Sequence, residues 1–443
     1  MVSRLTLLLL PFLWLFPAAP SAAQRLTLEE AVAASLANNP DLRAARAGER
    51  EGGERVAEAR AAYLPRIDLV EAWQRGNNPV YVFGSLLSQQ RFTAANFALD
   101  ALNHPDPLTN HRAAFMLDQP LFDTQRLTGM RSAGLGREIA RLSVREAEAD
   151  LALAVTRAYG EVLRASAGRA AAASAVAAAT EDLARAEHSR DAGMATEADV
   201  LSLRVHLAQM QEREIQAASG VAIATGQLNG LMGAPLDREV ALVEPPPAAP
   251  PVPSRVEAEQ AALRDRPAFK RAALQLSLAE TARKAAKGSF LPQVSVQGLY
   301  EFNGNTFTDR ASSWMVAGQL RWTLFAGGGN LARLRAATEA ASRASAERES
   351  AETGLRLDAW TTRAQLEAAV AREAVGRAAV LQARESQRII RDRYEAGLTG
   401  VNDVLRAANA LLDAETLRTS AVVDLMVARA ALDRSMGRIP SGR

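Results

Sequence analysis

The chain has no cysteine among its 443 residues. This excludes disulfides, thiolate-zinc sites and lipid attachment at an N-terminal cysteine, so any membrane anchoring is non-covalent. After the first two dozen residues there is no run of about 18 apolar residues, so no transmembrane helix is expected. An excess of one charge is also missing. The chain carries 52 basic and 50 acidic residues, which gives no sign of a nucleic-acid partner. Aromatics make up 5%. The only histidines are His104, His111, His188 and His206, with no pair at ligand spacing, so no metal site is expected. There is no G-x-S-x-G, no HExxH and no nucleophile–base set. Gly327-Gly328-Gly329-Asn330 lacks the Lys-Ser/Thr of a phosphate loop and reads as a strand-to-helix turn with Asn330 as N-cap. Neither an enzyme nor a cofactor is expected.

Several features are present instead. Met1 to Arg4 is a short positive segment, Leu5 to Phe16 is apolar, and Ser21-Ala22-Ala23 closes a secretory signal peptide spanning 1–23. Ala, Arg, Glu and Leu dominate long tracts, the composition of long helices and coiled coils. From Gln293 to Asn303, Val294, Val296, Gly298, Tyr300 and Phe302 alternate with Gln293, Ser295, Gln297, Leu299, Glu301 and Asn303. The alternation resumes in phase: Trp314, Val316, Leu320, Trp322 and Leu324 interleave with Ser313, Met315, Ala317, Gln319, Arg321 and Thr323. A period of two means a strand with one apolar and one polar face. Two such strands of about ten residues, with aromatics near the ends, have the length of a membrane-spanning hairpin. A hairpin of a soluble β-sandwich would carry the same alternation.

Internal matches set the architecture. Thr27-Leu28-Glu29-Glu30 and Ser254-Arg255-Val256-Glu257 are capping-box patterns. Asn39-Pro40 matches Arg266-Pro267, Leu64-Pro65 matches Leu291-Pro292, and Leu121-Phe122 matches Leu324-Phe325. Asp199-Val200-Leu201 matches Asp403-Val404-Leu405, in the same order. The chain is therefore expected to contain two repeats, 24–236 and 254–443, joined by a Pro-rich linker at 237–253. In the first, helices cover 27–62, strands lie at about 66–75 and 111–121, and a helical hairpin covers 124–232. In the second, the corresponding spans are 254–288, about 290–303, about 313–325, and 330–437. The fold class is mainly α, with long antiparallel coiled-coil hairpins and four transmembrane strands. The segment 76–110 is too apolar for a free tip and is expected to fold against a barrel mouth.

With these motifs in order and duplicated, the chain resembles the TolC-like outer membrane efflux proteins over essentially all of its mature length. The strongest matching element is Arg393-Tyr394-Glu395-Ala396-Gly397-Leu398-Thr399-Gly400-Val401-Asn402-Asp403-Val404-Leu405, with its counterpart at 192–201. The resemblance implies a homotrimer with a 12-stranded barrel in outer-membrane lipid and a helical tunnel through the periplasm of a Gram-negative type bacterium. It also implies a periplasmic adaptor (membrane fusion) protein and an inner-membrane pump of the resistance-nodulation (RND) or ABC class. Such a chain is a passive exit duct for tripartite efflux or type I secretion. Four strands cannot close a barrel, and open edges in lipid leave unpaired backbone groups, so closure by copies is required on physical grounds as well. Gln293, Gln297, Glu301, Gln319 and Arg321 would then face the lumen, with Arg66, Asp68, Arg112 and Asp118 from the first hairpin.

In the family, the helical turns form a closed periplasmic end that meets the adaptor. Here these tips are Gly193, Met194 and Ala195, and Gly397, Leu398 and Thr399. By position, Asp403 matches a constricting acidic residue, and Tyr394 and Asp199 match a pair that links neighbouring coiled coils. The position three after Asp403, acidic in the best-known member, is Arg406 here, and Thr399 replaces a basic gate residue. Asp199 and Asp403 also each stand in the first turn of a helix, where a carboxylate is stabilised by free N–H groups. The competing reading is a periplasmic coiled-coil scaffold without a pore, which has no need of a lipid-facing strand surface.

Overall fold

The computed structural model describes residues 25–193, 196–244 and 251–440. The expected signal peptide and the tip residues Met194 and Ala195 lie outside the described residues. The chain opens with β1 (Arg25–Leu26), α1 (Leu28–Asn38) and α2 (Pro40–Ala61). Thr27 and Glu30 form a reciprocal capping box, each side chain accepting the other's backbone N–H at 3.2 and 2.9 Å. The Asn39 side chain accepts the N–H groups of Asp41 and Leu42. Pro40 takes the first helical position, where its missing N–H costs nothing.

Then follow β2 (Arg66–Gly76), α3 (Pro79–Ser88), a 3₁₀ turn at Ala94–Phe97, α4 (Leu99–Asn103) and β3 (Leu108–Phe122). The long helices α5 (Thr124–Asp191) and α6 (Glu197–Met232) complete the first half. The second half has β4 (Ala241–Leu242), α7 (Arg255–Asp265), α8 (Pro267–Gly288), β5 (Gln293–Gly304) and β6 (Ala311–Arg321). It ends in α9 (Gly329–Glu395) and α10 (Val401–Ser435). With 68 residues, α5 is roughly 100 Å long at 1.5 Å per residue. No described helix is long and apolar enough to cross a membrane.

Several boundaries differ from the sequence expectation. β6 begins at Ala311 and stops at Arg321, because its partner β5 begins at Gln293, which pairs with Arg321. Trp322 lies beyond the paired strand, and its indole N–H donates to the Phe290 carbonyl at 3.0 Å. The N-cap of α9 is Gly328 at φ +80°, not Asn330. The Asn330 amide reaches back to the Ser289 carbonyl instead. The linker also contributes structure: β4 pairs in parallel with β1, Leu26 opposite Leu242.

The four long strands form one antiparallel sheet in the order β2-β3-β5-β6, with β2 and β6 as its two edges. One irregularity interrupts it between Pro120 and Phe122. There the Gln119 amide, which breaks the apolar alternation of β3, donates to the Tyr63 and Pro120 carbonyls.

Buried side chains between helices form separate cores rather than one. Val155, Tyr159, Leu228, Leu28 and Val32 make the first, and Ala258, Ala262, Leu366 and Leu432 the second. Small residues let the long helices approach closely. A Cβ at Gly160 of α5 would sit 2.5 Å from Val423 Cγ1 of α10.

Candidate channel wall and tip gate

Strand register assigns every side chain of the sheet to one of two faces, since neighbours along a strand alternate. One face collects Ile67, Leu69 and Trp73 of β2, Phe115 and Leu117 of β3, Val294, Val296 and Tyr300 of β5, and Trp314, Val316 and Leu320 of β6. Most of its large apolar side chains are uncovered, from 43% exposed at Tyr300 to 74% at Trp314, while Leu117, Val294 and Val296 in the two central strands are half-buried. A soluble sheet buries such a face, so this exposure needs lipid or a partner.

The opposite face carries all five residues expected at the lumen: Gln293, Gln297, Glu301, Gln319 and Arg321. Gln297 and Gln319 hydrogen-bond across the hairpin at 3.4 Å. Glu301 is not a free charge. It accepts from the Arg112 guanidinium of β3 at 2.7 Å and from the Ser313 hydroxyl at 3.2 Å. Arg66 and Asp68 pair at 2.9 Å on the same face. The polar wall is therefore internally neutralised.

Glu71 breaks the apolar pattern of β2 and has a specific partner. Arg310, in the β5–β6 turn, grips both its carboxylate oxygens at 3.0 and 2.9 Å and also stacks on Phe307. Sequence reasoning missed this pair, because the two residues stand 239 positions apart.

At the far end of the helices, the turns α5–α6 and α9–α10 lie side by side. Gly193 and Gly397 close their helices at φ +76° and +71°, left-handed values that glycine adopts without steric cost. Leu398 is exposed between them and solvent. Tyr394 packs beside Ala186, Val200, Leu203 and Val401, joining the two hairpins through a small apolar cluster. Burial raises the pKa of its phenol, and the nearby charges of Asp199 and Asp182 raise it further. Asp199 itself is engaged in the capping box of α6, accepting the Thr196 hydroxyl at 2.8 Å. It acts on Tyr394 through its charge.

Thr399, Asp403 and Arg406 come together at the start of α10. The Thr399 hydroxyl donates to Asp403 at 2.5 Å, and the Arg406 guanidinium stands 3.7 Å from the other carboxylate oxygen. The residues that depart from the family pattern are thus the two that hold Asp403. A contact between hairpins not foreseen from sequence is Asp182 of α5, paired with Arg185 at 2.6 Å and 4.0 Å from Arg391 of α9. Among the described residues no cluster of His, Asp and Glu could hold a metal ion.

An amphipathic four-stranded wall, open at both edges and standing on helices about 100 Å long, defines the class of protein. The sequence profile of the outer membrane efflux protein family matches residues 31–234 and 259–438, and the chain belongs to that family. A curated relative is the alkaline protease secretion protein AprF of Pseudomonas aeruginosa, 27% identical over 318 residues. The match covers 69% of this chain but only 62% of that relative's length.

Solved structures share the fold. A membrane protein from Pseudomonas aeruginosa superimposes with a TM-score of 0.80 at 18% identity, covering 94% of this chain and 91% of its own. The CmeC outer membrane channel of Campylobacter jejuni gives 0.78 at 15%, covering 93% and 85%. The open state of the MtrE outer membrane channel of Neisseria gonorrhoeae gives 0.77 at 17%, covering 93% and 89%.

Proposed function

We propose that three copies of the chain close a 12-stranded barrel in the outer membrane and form the passive exit duct of a tripartite efflux or type I secretion system. The observation that carries this reading is the sheet: one largely exposed apolar face, one self-neutralised polar face and two unpaired edges. In lipid, unpaired backbone groups cost several kcal/mol each, so β2 of one copy must pair with β6 of the next. The polar face then lines an aqueous lumen in which Gln293, Gln297, Gln319 and Arg321 meet water. Glu301 is already neutralised by Arg112, which makes the wall weakly charge-selective.

The tips at Gly193 to Ala195 and Gly397 to Thr399 are the docking points for a periplasmic adaptor, behind which stands an RND or ABC pump. Asp403, held by Thr399 and Arg406, forms a three-carboxylate ring at the closed end, and Tyr394 joins the two hairpins there by packing, with Asp199 beside it in the cap of α6. The name of the relative AprF favours secretion of a polypeptide among the possible cargoes. The decisive experiment is purification of the full chain from outer membranes, with gel migration before and after boiling and conductance in planar bilayers. The duct predicts a heat-sensitive trimer that forms pores. A periplasmic monomer without pore activity would sink the reading in favour of a coiled-coil scaffold.

A further inference from the structure

The segment between β2 and β3 lies at the end of the sheet away from the long helices, and it folds onto the polar face. Tyr81 donates its hydroxyl to the Gln74 carbonyl at 3.0 Å and rests against Gly76. The Gln89 amide donates to the Thr109 carbonyl at 2.9 Å and to Asn110 Oδ1 at 3.0 Å. Asn110 in turn donates to Asn303 Oδ1 at 2.9 Å, all on side chains buried in the protomer. By register, Asn110, Asn303 and the fully buried Ala114 belong to the lumen-facing side. Val82, Ser85 and Gln89 form the buried stripe of α3 and its cap. Phe83, Phe92 and Phe97 stack edge-to-face, at 4.9 and 5.1 Å between ring centroids, and tie the return leg to the helix.

The opposite stripe has no partner among the described residues. Val80 is 82% exposed and Leu87 50%, and a Cβ at Gly84 between them would meet nothing within 4 Å. Positions i, i+4 and i+7 form one helix face, so an apolar line points away from the wall, toward the axis of the lumen.

This placement rests on the trimeric duct proposed above and adds a second closure to it. Twelve strands spaced ~4.8 Å apart and tilted ~40° enclose a ring about 24 Å across. Three helices about 10 Å wide need a circle about 22 Å across, nearly the full distance between opposite strand backbones, so at the mouth of such a ring they can only stand in contact with one another. We propose that the three α3 helices meet at the barrel axis through Val80, Gly84 and Leu87, forming an apolar gate at the outer mouth. The occupants of each exposed stripe are the same stripe on the other two copies. Gly84 permits the close approach. An apolar ring of this kind closes to ions by dewetting and opens when the three α3 helices part at the axis.

The absence of cysteine makes a clean test possible. Leu87→Cys in the full-length trimer, oxidised with copper-phenanthroline, is expected to give a disulfide-linked dimer on a non-reducing gel, and Val80→Cys the same. Leu69→Cys on the apolar outer face, whose copies lie about 20 Å apart on such a ring, is expected to stay monomeric. Cross-linked Leu87→Cys pores should lose conductance by about tenfold, as expected of a locked apolar ring, and regain it on adding reductant. Pores that form normally while neither variant cross-links, or that conduct unchanged when cross-linked, overturn the outer gate and leave the duct standing. Failure of the unmodified chain to form trimeric pores removes the duct, and the gate with it.

Discussion

At the scale of the residue, two side chains illustrate how local chemistry is set by distant neighbours. Tyr159 of α5 is fully buried, with its hydroxyl 2.6 Å from the Val243 carbonyl and 2.9 Å from that of Leu26. Burial pushes its pKa up to about 12, against a small opposing effect of the Val243 hydrogen bond. Because the folded value lies above the unfolded one, this stabilisation is complete below about pH 10 and is lost as pH rises toward 12. Tyr159→Phe is expected to cost about 1–3 kcal/mol, since it removes the hydroxyl donor of the Val243 carbonyl, whereas the Leu26 carbonyl keeps the Val243 N–H. It should also flatten the alkaline limb of a denaturation midpoint-versus-pH curve; an unchanged limb would assign that limb to other groups. Asp403 is the second case. Asp403→Ala should raise single-channel conductance and weaken block by multivalent cations, because it removes a carboxylate from each copy of the constriction. Thr399→Ala, which frees the carboxylate of its hydroxyl partner, should instead strengthen cation block. Equal conductance and block in all three proteins would remove Asp403 from the gate.

At the scale of the element, the long helices depend on small residues at crossings more than on large apolar ones. At Gly160, α5 touches Val423 and Met426 of α10. Gly160→Val should drive the helices apart and lower stability by about 1–3 kcal/mol. Gly168, two turns further along the same helix, has nothing within 4 Å of its Cβ position. Gly168→Ala should stabilise by about 0.5–1 kcal/mol through helix propensity alone. Thermal unfolding of the two variants beside the parent checks both signs. The helix starts at Thr27 and Ser254 were legible because a capping box needs only four consecutive residues. The cap α3 was not legible as a helix over the lumen. Its buried stripe Val82–Ser85–Gln89 is mixed in polarity, and its partners Asn110 and Asn303 become a surface only after the hairpins stand side by side. The strand alternation overran the true end of β6 for a related reason: Trp322 continues the period of two, but no residue of β5 remains to pair with it.

For the whole molecule, the question is which solvent each face of the sheet meets, and neighbouring residues of β6 answer it. Val316, in the middle of the strand, lies on the apolar face, and Ala317 lies on the polar one. Val316→Arg is expected to cost about 2–4 kcal/mol per copy at the bilayer midplane and to reduce the heat-sensitive trimer recovered from membranes. Ala317→Arg should assemble normally and shift ion selectivity toward anions. Equal tolerance of both changes would mean that the apolar face does not meet lipid. Sequence alone determined the period of two in the hairpins, the length of the helices and the glycine turns at their tips. These features depend on residues within a few positions of one another, where local sterics and hydrogen bonding decide. Only the tertiary structure decided that Glu301 is neutralised by Arg112, that Glu71 on the apolar face is matched by Arg310, and that α3 covers the polar face at the mouth. Those pairings join positions as many as 239 apart, and they exist only once the strand register has brought the two hairpins into one sheet.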